Sequence, residues 1–500
     1  MTKPKEVVLF FGGMLWQQAV TFAAGVFVAR WLGPADYGIL SIVRNVFTVA
    51  LIMAPLGMDL SLLRHLAEYD KADDTAGQVR LLRMIVLAVN LSVLAATLFL
   101  IGPFLQTHVY SQPHLTLYLT LTFVALPFAA DTQLLTAVFR ARRRPAFQVI
   151  ASLYIQPLVR VAALIAFGLA GFGLPGVVLA TAAGYAASSL TMSIALRRID
   201  GQDGVTRRPI SRHEVTAVRG VFNYSVWLGA LLLTYGVLRN VDILILGHFR
   251  APREVGEYAA LSTIAQIIPI YPQALSQTLG PTIAKFYKDG DMLGIKRELS
   301  NYLRRASLLS SPIFGAVAAF GPWLNLLFGK KYEFHPWLSL NLGAAFLISA
   351  LLNPMGFPLS MTGRHKTEFM ILITGTVGAI LLCMTLAPTF GPNGVALGTS
   401  AGYLFINVVR MGVTSRFLRI IPGSLRDLGP PLICAVVGYT LKFSADAFLP
   451  RSAIVAIGVG LIYGVLVLIS YWVVMLNPEE KEFVVSRWNG LVLRRLGFST

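Results

Sequence analysis

The chain has 500 residues, 55% of them hydrophobic and only 13% charged, with a mean hydropathy of +0.67. A soluble protein carries about twice that charged share, which excludes the ordinary water-soluble classes. The formal net charge of +18 leaves nucleic acid or an anionic membrane surface as partners. No basic stripe interleaved with exposed aromatics supports nucleic acid, and the placement of the charges supports the membrane.

Apolar stretches of about 20 residues, each able to cross a bilayer core of roughly 30 Å, recur along the whole chain. Fourteen spans are read at about 8–31, 39–63, 81–102, 115–139, 147–170, 175–196, 221–248, 255–284, 303–327, 336–361, 368–389, 393–415, 430–449 and 452–475. The fold class is therefore an all-α polytopic membrane protein of about 14 transmembrane helices. Met1–Glu6 resembles the charged start of a signal peptide. The apolar run after it is too long and ends without a small-residue cleavage site, so it is read as a retained first helix.

Alternate loops hold nearly all the basic residues. One side receives Lys3, Lys5, Arg64 to Arg83, Arg140 to Arg144, Arg197 to Arg219, Lys285 to Arg305, Arg364, Lys366, Arg410 to Arg426 and the C-terminal tail. That side has 32 of the 42 Lys and Arg; the opposite loops have six, Arg30, Arg250, Arg253, Lys330, Lys331 and Arg451. The positive-inside rule makes the first side cytoplasmic, with both termini inside.

A repeat organises the spans. FGLPGVVLATAAGY at 172–185 returns 218 residues later as FGPNGVALGTSAGY at 390–403, with nine of fourteen positions identical. The same offset pairs Pro34, Asp36 and Gly38 with Pro252, Glu254 and Gly256. A duplicated unit in so apolar a chain is the architecture of a secondary transporter, with the substrate path between the halves. Six spans per half is an even number, so the copies enter the membrane in the same direction, related by an axis along its normal. The organisation that follows is one six-helix bundle over 1–200, a cytoplasmic linker over 201–220, a second bundle over 221–420, two extra helices within 430–475 and an amphipathic cytoplasmic tail over 476–500. Ser211 and Glu214 have capping-box spacing in the linker. Asn477, Pro478 and Glu480 read as N-cap, N1 and N3 of the tail helix, which sets Phe483, Trp488 and Leu491 beside Arg487, Arg494 and Arg495 on the inner leaflet.

Charges inside the spans cost about 2.5–3.5 kcal/mol each at a helix centre and need a partner or water. Arg160 and Asp131 lie near the middles of consecutive spans and are read as a pair. Arg44 sits about one and a half turns below the outer end of its span, Arg30 caps the first, and Asp59 lies near a cytoplasmic end. Arg239 and Asp242, three apart, share a face; Lys442 and Asp446, four apart, read as an interfacial ion pair. Two readings stand for the arginines: structural ion pairs, or a cavity for an anionic cargo whose oxygens suit the planar guanidinium fork. On the second, Arg30, Arg44, Arg160 and Arg239 bind substrate. Ser262, Gln266, Gln273 and Gln277 fall near one face of the eighth span, where amides serve sugar hydroxyls or neighbouring helices. Pro269 and Pro272 suggest a bend there. Asp131 and Asp242 are the coupling candidates, since cargo that engages a neighbouring Arg would release the carboxylate to take a proton; coupling to membrane potential stays open.

Other readings are weaker. Gly171, Gly173 and Gly176 fit a dinucleotide fingerprint only as a bare pattern, on a turn between two spans. Seven scattered histidines and two cysteines, Cys383 and Cys434, build no metal site, and no cofactor is expected. A membrane glycosyltransferase, polymerase or ligase needs a sizeable outer loop, and the longest is 103–114. A cation-coupled multidrug antiporter is the nearer alternative; there carboxylates would dominate the buried charges, and here the Arg residues within spans at least match the Asp residues.

The run FVARWLGPADYG, PLGMDLSLLRHLAEY at 55–69 and RNVDILILGHF at 239–249 resemble the polysaccharide transporter family, the Wzx-type flippases of the multidrug/oligosaccharidyl-lipid/polysaccharide exporter superfamily. The resemblance covers roughly the first 420 residues. It implies two parallel-repeat, MATE-like bundles and a non-enzymatic flippase, working by alternating access in surface polysaccharide synthesis. The cargo would be a polyprenyl-pyrophosphate-linked oligosaccharide, moved from the inner to the outer leaflet. It places Arg30, Arg44 and Arg239 on a central cavity in a monomer of the bacterial cytoplasmic membrane. Its partners would be that lipid-linked glycan, membrane lipids and a glycan polymerase or export machinery. The two extra helices resemble those of lipid II flippases.

Overall fold

The computed structural model describes residues 4–55, 57, 58, 62, 65, 66, 73–202, 212–418, 425–450, 452–475 and 481. The expected linker core (203–211, including Ser211), nearly all of the amphipathic tail and Asp59 lie outside these. All regular structure among the described residues is helical, and eleven stretches are long and apolar enough to cross a membrane.

Helix α1 (Pro4–Leu32) and α2 (Pro34–Met53) meet at Gly33, whose φ of 79° reverses the chain before Pro34 fixes the first turn of α2. α2 therefore begins five residues before its apolar run. α3 (Asp73–Ala96) also begins early, and it continues through two π segments to Tyr110. The residues 103–110 expected in an outer loop are thus helical. The turn is confined to 111–114, where Ser111 and His114 adopt left-handed φ values of 49° and 61°. The chain returns through α4 (Leu115–Phe123) and α5 (Ala125–Ala141). α6 (Gln156–Leu169) and α7 (Gly173–Gln202) complete the first half.

In the second half come α8 (Arg212–Phe249), α9 (Pro252–Ala265), α10 (Ile270–Lys288), α11 (Met292–Phe320) and α12 (Pro336–Leu352). The expected eighth span, 255–284, is not one helix: α9 stops at Ala265 and a turn over 266–269 precedes α10. Pro269 and Pro272 each lack the N–H that a continuous helix would use. α13 (His365–Leu418) holds the eleventh and twelfth expected spans, broken at Gly391 (φ 55°, ψ −134°). Arg250 donates to the Ala387 and Pro388 carbonyls (3.1 and 2.7 Å), covering the open helix end before that break. α14 (Gly429–Phe448) and α15 (Ala453–Ser470) are the two additional helices.

The contacts divide the chain into two compact units that do not follow chain order. One comprises Met1–Thr263 with Leu372–Thr399, the other Ile264–Ile371 with Ser400–Thr500. Apolar side chains gain little by leaving lipid for protein, so helices associate where small residues let backbones approach. In the first unit a Cβ on Gly247 would lie 2.7 Å from the Ile42 side chain, and one on Gly236 would overlap Ile52, so α8 lies close against α2. The duplicated Pro-x-x-x-Gly motifs meet each other. A Cβ on Gly38 would overlap the Pro252 carbonyl oxygen, and one on Gly256 the Pro34 carbonyl oxygen. The duplicated 14-residue segments also build one turn twice. Gly173 and Gly391 share φ values of 57° and 55°, and a Cβ on Gly176 or Gly394 would stand 2.9 Å from Cβ of Phe172 or Phe390.

The second unit packs α14 on α11 in the same manner, with Gly315 against the Cys434 carbonyl and Gly438 against Ala319. Tyr463 of α15 donates to the Pro312 carbonyl at 2.8 Å. Lys442 and Asp446 form the ion pair read from their spacing, at 3.3 Å, and Trp323 Nε1 donates to Asp446 at 3.0 Å.

The Gly38/Gly256 contact is backbone against backbone, so neither side has a rotamer with which to yield. Gly38→Ala and Gly256→Ala are each expected to cost about 1–3 kcal/mol, the usual scale of overpacking, read as a lowered unfolding temperature in detergent. Gly378→Ala, whose Cβ would meet nothing within 4 Å, should be neutral or slightly stabilising.

Candidate functional site

The first unit holds a cavity of about 180 Å³ between α1, α2, α4, α6 and α7. Its polar lining is Tyr37, Arg44 and Thr48 from α2, Thr122 from α4, Gln156 and Arg160 from α6, and Thr181 and Tyr185 from α7. No Asp or Glu lines it. The α2 wall is fixed by side chains bonding back into their own helix: Ser41 to the Tyr37 carbonyl, Asn45 to Ser41 and Thr48 to Arg44, each at 2.7 Å. The α6 wall is brought in by Gly184 of α7, where a Cβ would be 2.9 Å from the Gln156 oxygen and 3.0 Å from Arg160 Cβ. Thr181 and Tyr185 belong to the duplicated segment and lie four apart on one face of α7. Arg44 and Arg160 therefore face one small chamber, and neither guanidinium has an ion pair among the described residues. Two cations with no anion is an arrangement that an anionic ligand completes.

The other candidates lie elsewhere. Asp131 does not pair with Arg160. It takes a bidentate contact from Arg83 (2.7 and 3.0 Å) and a hydrogen bond from Ser189 (2.6 Å), and Arg83 also donates to Ser193 at 2.6 Å. Consecutive spans made Arg160 the obvious partner, but α5 packs on α3 and α7 as well, and Arg83 of α3 reaches it first. Asp242 is buried and does not pair with Arg239, which is exposed on the same helix. Tyr258 Oη donates to Asp242 at 2.8 Å and the Ile243 N–H at 2.8 Å. Arg30 and Arg239 are exposed and do not line the cavity. The polar stripe of the eighth span is interrupted: Ser262 is buried before the break at 266–269, while Gln266 within it and Gln273 after it are exposed. The side chain of Gln277 lies outside what is described.

One ion pair was not legible at all. Glu368 and Arg410 sit at opposite ends of α13, with side chains 4% and 1% exposed. Arg410 donates to both Glu368 carboxylate oxygens, one at 3.1 Å, and to Asn407 Oδ1 at 3.2 Å. Arg410 counts among the loop charges by sequence, and Glu368 begins a span. Their union depends on the chain reversal at Gly391, 42 residues being the separation along the sequence.

The pattern of the polysaccharide biosynthesis protein family matches residues 27–335, more than half of the chain and the stretch that holds both cavity arginines. The chain belongs to that family. A probable low-salt glycan biosynthesis flippase, Agl15 of Haloferax volcanii, is 19% identical over 250 residues, 50% of this chain and 53% of that protein. The family member thus spans about half the length of this relative. Among solved structures, the lipid II flippase MurJ in an inward closed conformation superposes with a TM-score of 0.73 at 11% identity, covering 93% of this chain and 99% of that one. An inward-facing multidrug resistance MATE family transporter of the MOP superfamily gives 0.65 at 14% identity, covering 81% and 94%. These likenesses establish that the chain shares the fold of those two proteins, and the 93% coverage reaches into the C-terminal pair of helices.

For this polysaccharide-family chain the Glu368–Arg410 pair makes a clear energetic case. Breaking a buried pair from one side leaves an uncompensated charge, at a cost of about 3–5 kcal/mol, whereas replacing both partners by apolar side chains is often neutral. Arg410→Met should therefore lower the unfolding temperature sharply, and Glu368→Leu combined with Arg410→Met should recover most of the loss.

Proposed function

We propose that the protein is a flippase that carries a polyprenyl-pyrophosphate-linked oligosaccharide from the inner to the outer leaflet by alternating access, for surface polysaccharide synthesis. The single observation that carries this reading is the carboxylate-free cavity of Arg44 and Arg160. A chamber of about 180 Å³ is too small for a glycan and suits one compact anionic group, so the pyrophosphate is the part it would hold. The two guanidiniums supply a planar set of donors that stay charged in a poor dielectric. Sugars and polyprenyl tail would remain outside the chamber, the tail in lipid. Arg30 and Arg239, exposed on the same unit, would meet the charged headgroup before or after it occupies the cavity, and Gln266, Gln273 and Gln277 would meet its sugars.

On this reading the protein works as a monomer in a bacterial inner membrane with both termini in the cytoplasm, an orientation that the basic loops support. Coupling would use Asp242, whose partners are a hydroxyl and a backbone N–H, and Asp131, which would exchange its hold on Arg83. The MATE fold is equally compatible with a cation-coupled drug antiporter. A cationic cargo calls for carboxylates in the cavity, and this cavity has none.

The test is complementation of a strain that lacks its lipid-linked oligosaccharide flippase, with membrane expression checked for each variant. Wild type should restore surface glycan, Arg44→Ala and Arg160→Ala should lose at least about tenfold, and the Lys variants should recover part, since charge without the planar fork is retained. If wild type fails while tolerance to cationic drugs rises, the antiporter takes the place of the flippase.

A further inference from the structure

A second, larger hollow in the first unit, of about 770 Å³, lies between α3, α5 and α7. None of its lining residues is shared with the Arg44–Arg160 chamber. Its charged lining is Arg80, Arg83, Arg142 and Arg197 with Asp131 and Asp200. Both carboxylates are engaged within the protein, Asp131 by Arg83 and the Ser189 hydroxyl, Asp200 by Arg142. With both carboxylates spent, Arg197 keeps a positive charge with no ion pair among the described residues. Arg142 spends one nitrogen on Asp200, while its Nε and Nη2 are buried with no acceptor among the described residues. Those two donors expose no surface to the hollow, so a ligand there meets Arg142 through the remainder of its side chain and Arg197 directly.

The other end of the hollow is apolar. Met84, Leu87 and Phe128 line it and are 48%, 47% and 40% exposed. Along α3 the order runs from Arg80 and Arg83 to Met84 and Leu87. Along α5, Phe128 lies fourteen residues before Arg142, roughly 20 Å at the rise of an α-helix. Polar and apolar halves are thus stacked along the direction of the helices. The charged end belongs to the set of basic loops that the positive-inside rule assigns to the cytoplasmic side, at headgroup depth.

We propose that this groove seats one anionic glycerophospholipid of the cytoplasmic leaflet, its phosphate on Arg142 and Arg197 and an acyl chain along Met84, Leu87 and Phe128. A phosphate diester offers non-bridging oxygens to Arg197 and to the edge of Arg142 that lines the groove, and the unpaired Arg197 charge matches a headgroup with one net negative charge. A free phosphate would leave the apolar half unoccupied. The seat is independent of the cargo proposed above, since it uses a different helix set and none of the cavity arginines.

The test is native mass spectrometry of the full chain, delipidated in a neutral detergent, with four probes: phosphatidylglycerol, phosphatidylcholine of the same chains, inorganic phosphate and a polyprenyl pyrophosphate. Phosphatidylglycerol should bind about tenfold or more tightly than phosphatidylcholine, and Arg142→Gln with Arg197→Gln should remove that preference. Arg197→Gln alone, on an exposed side chain, should weaken it several-fold and covers the case in which the double variant fails to fold. Arg44→Ala should leave phosphatidylglycerol binding intact while lowering that of the polyprenyl pyrophosphate, so the two sites fail separately. Equal binding of both glycerophospholipids, or phosphatidylglycerol binding unchanged in the Arg variants, overturns the proposal. So does displacement of the lipid by millimolar inorganic phosphate, which marks a free-anion site. Loss of only the polyprenyl pyrophosphate in the Arg142 and Arg197 variants overturns it too, and assigns the groove to the cargo.

Discussion

The first unit depends on one point where two helices touch with nothing between their backbones. Gly38 of α2 and Gly256 of α9 each occupy space that a single carbon would deny to the other's motif. Inside a bilayer there is no water to expel between apolar faces, so close approach of this kind supplies the packing energy that a soluble core draws from burial. The contact is reciprocal because the motif is duplicated, and it sets the position of α2 from which the rest is built. Arg44 follows six residues later, turned well away from the Gly38 face, and so looks towards α6 and α7 instead of α9. The same helix thus holds the repeat together on one side and presents a cation on the other.

The duplication shaped the backbone but not the charges. At the constant offset of 218 residues Arg44 falls on Ser262, Arg160 on Gly378, Asp131 on Ser349 and Arg410 on Met192. What recurs is glycine, proline and small apolar positions, the residues that turns and close contacts require. Gly173 and Gly391 keep a left-handed φ, and Gly176 and Gly394 keep the same near neighbour. Chemistry specific to one half was then laid over a scaffold common to both. The basic chamber accordingly occurs in the first unit, while the fully buried ion pair occurs in the second.

This division also explains what could be read from the sequence. Hydropathy and the repeat are local signals, and they identified the class, the family and most of the spans. They identified Arg44 and Arg160 as charges inside the spans worth explaining, and the fold joins an exposed Arg44 and a half-buried Arg160 in one cavity. Pairing between helices is not local. Arg83 sits at the edge of its apolar run and reads as a loop charge, yet it takes Asp131 from Arg160. Arg410 was counted with the cytoplasmic basic residues, although it is among the most buried side chains described. Tyr185 lies in the repeat and Tyr37 in the family-like run, but neither is charged, and Gln156 has no charge and no unusual spacing, so nothing pointed them to a cavity until the helices met. The early starts of α2 and α3 were missed because a helix can extend beyond its apolar window on caps and polar turns, which hydropathy ignores.

Glu368 and Arg410 also constrain how the protein is made. They lie at comparable distances on either side of the reversal at Gly391, and each leaves the ribosome without the other. A lone Glu entering the hydrocarbon ahead of its partner would be retained at the translocon or slip back to water. The limbs of α13 are therefore best inserted together, as a preformed hairpin whose two far ends neutralise one another. Synthesis of this part of the chain would then wait some forty residues, from the first charge to the second, before committing either limb to lipid.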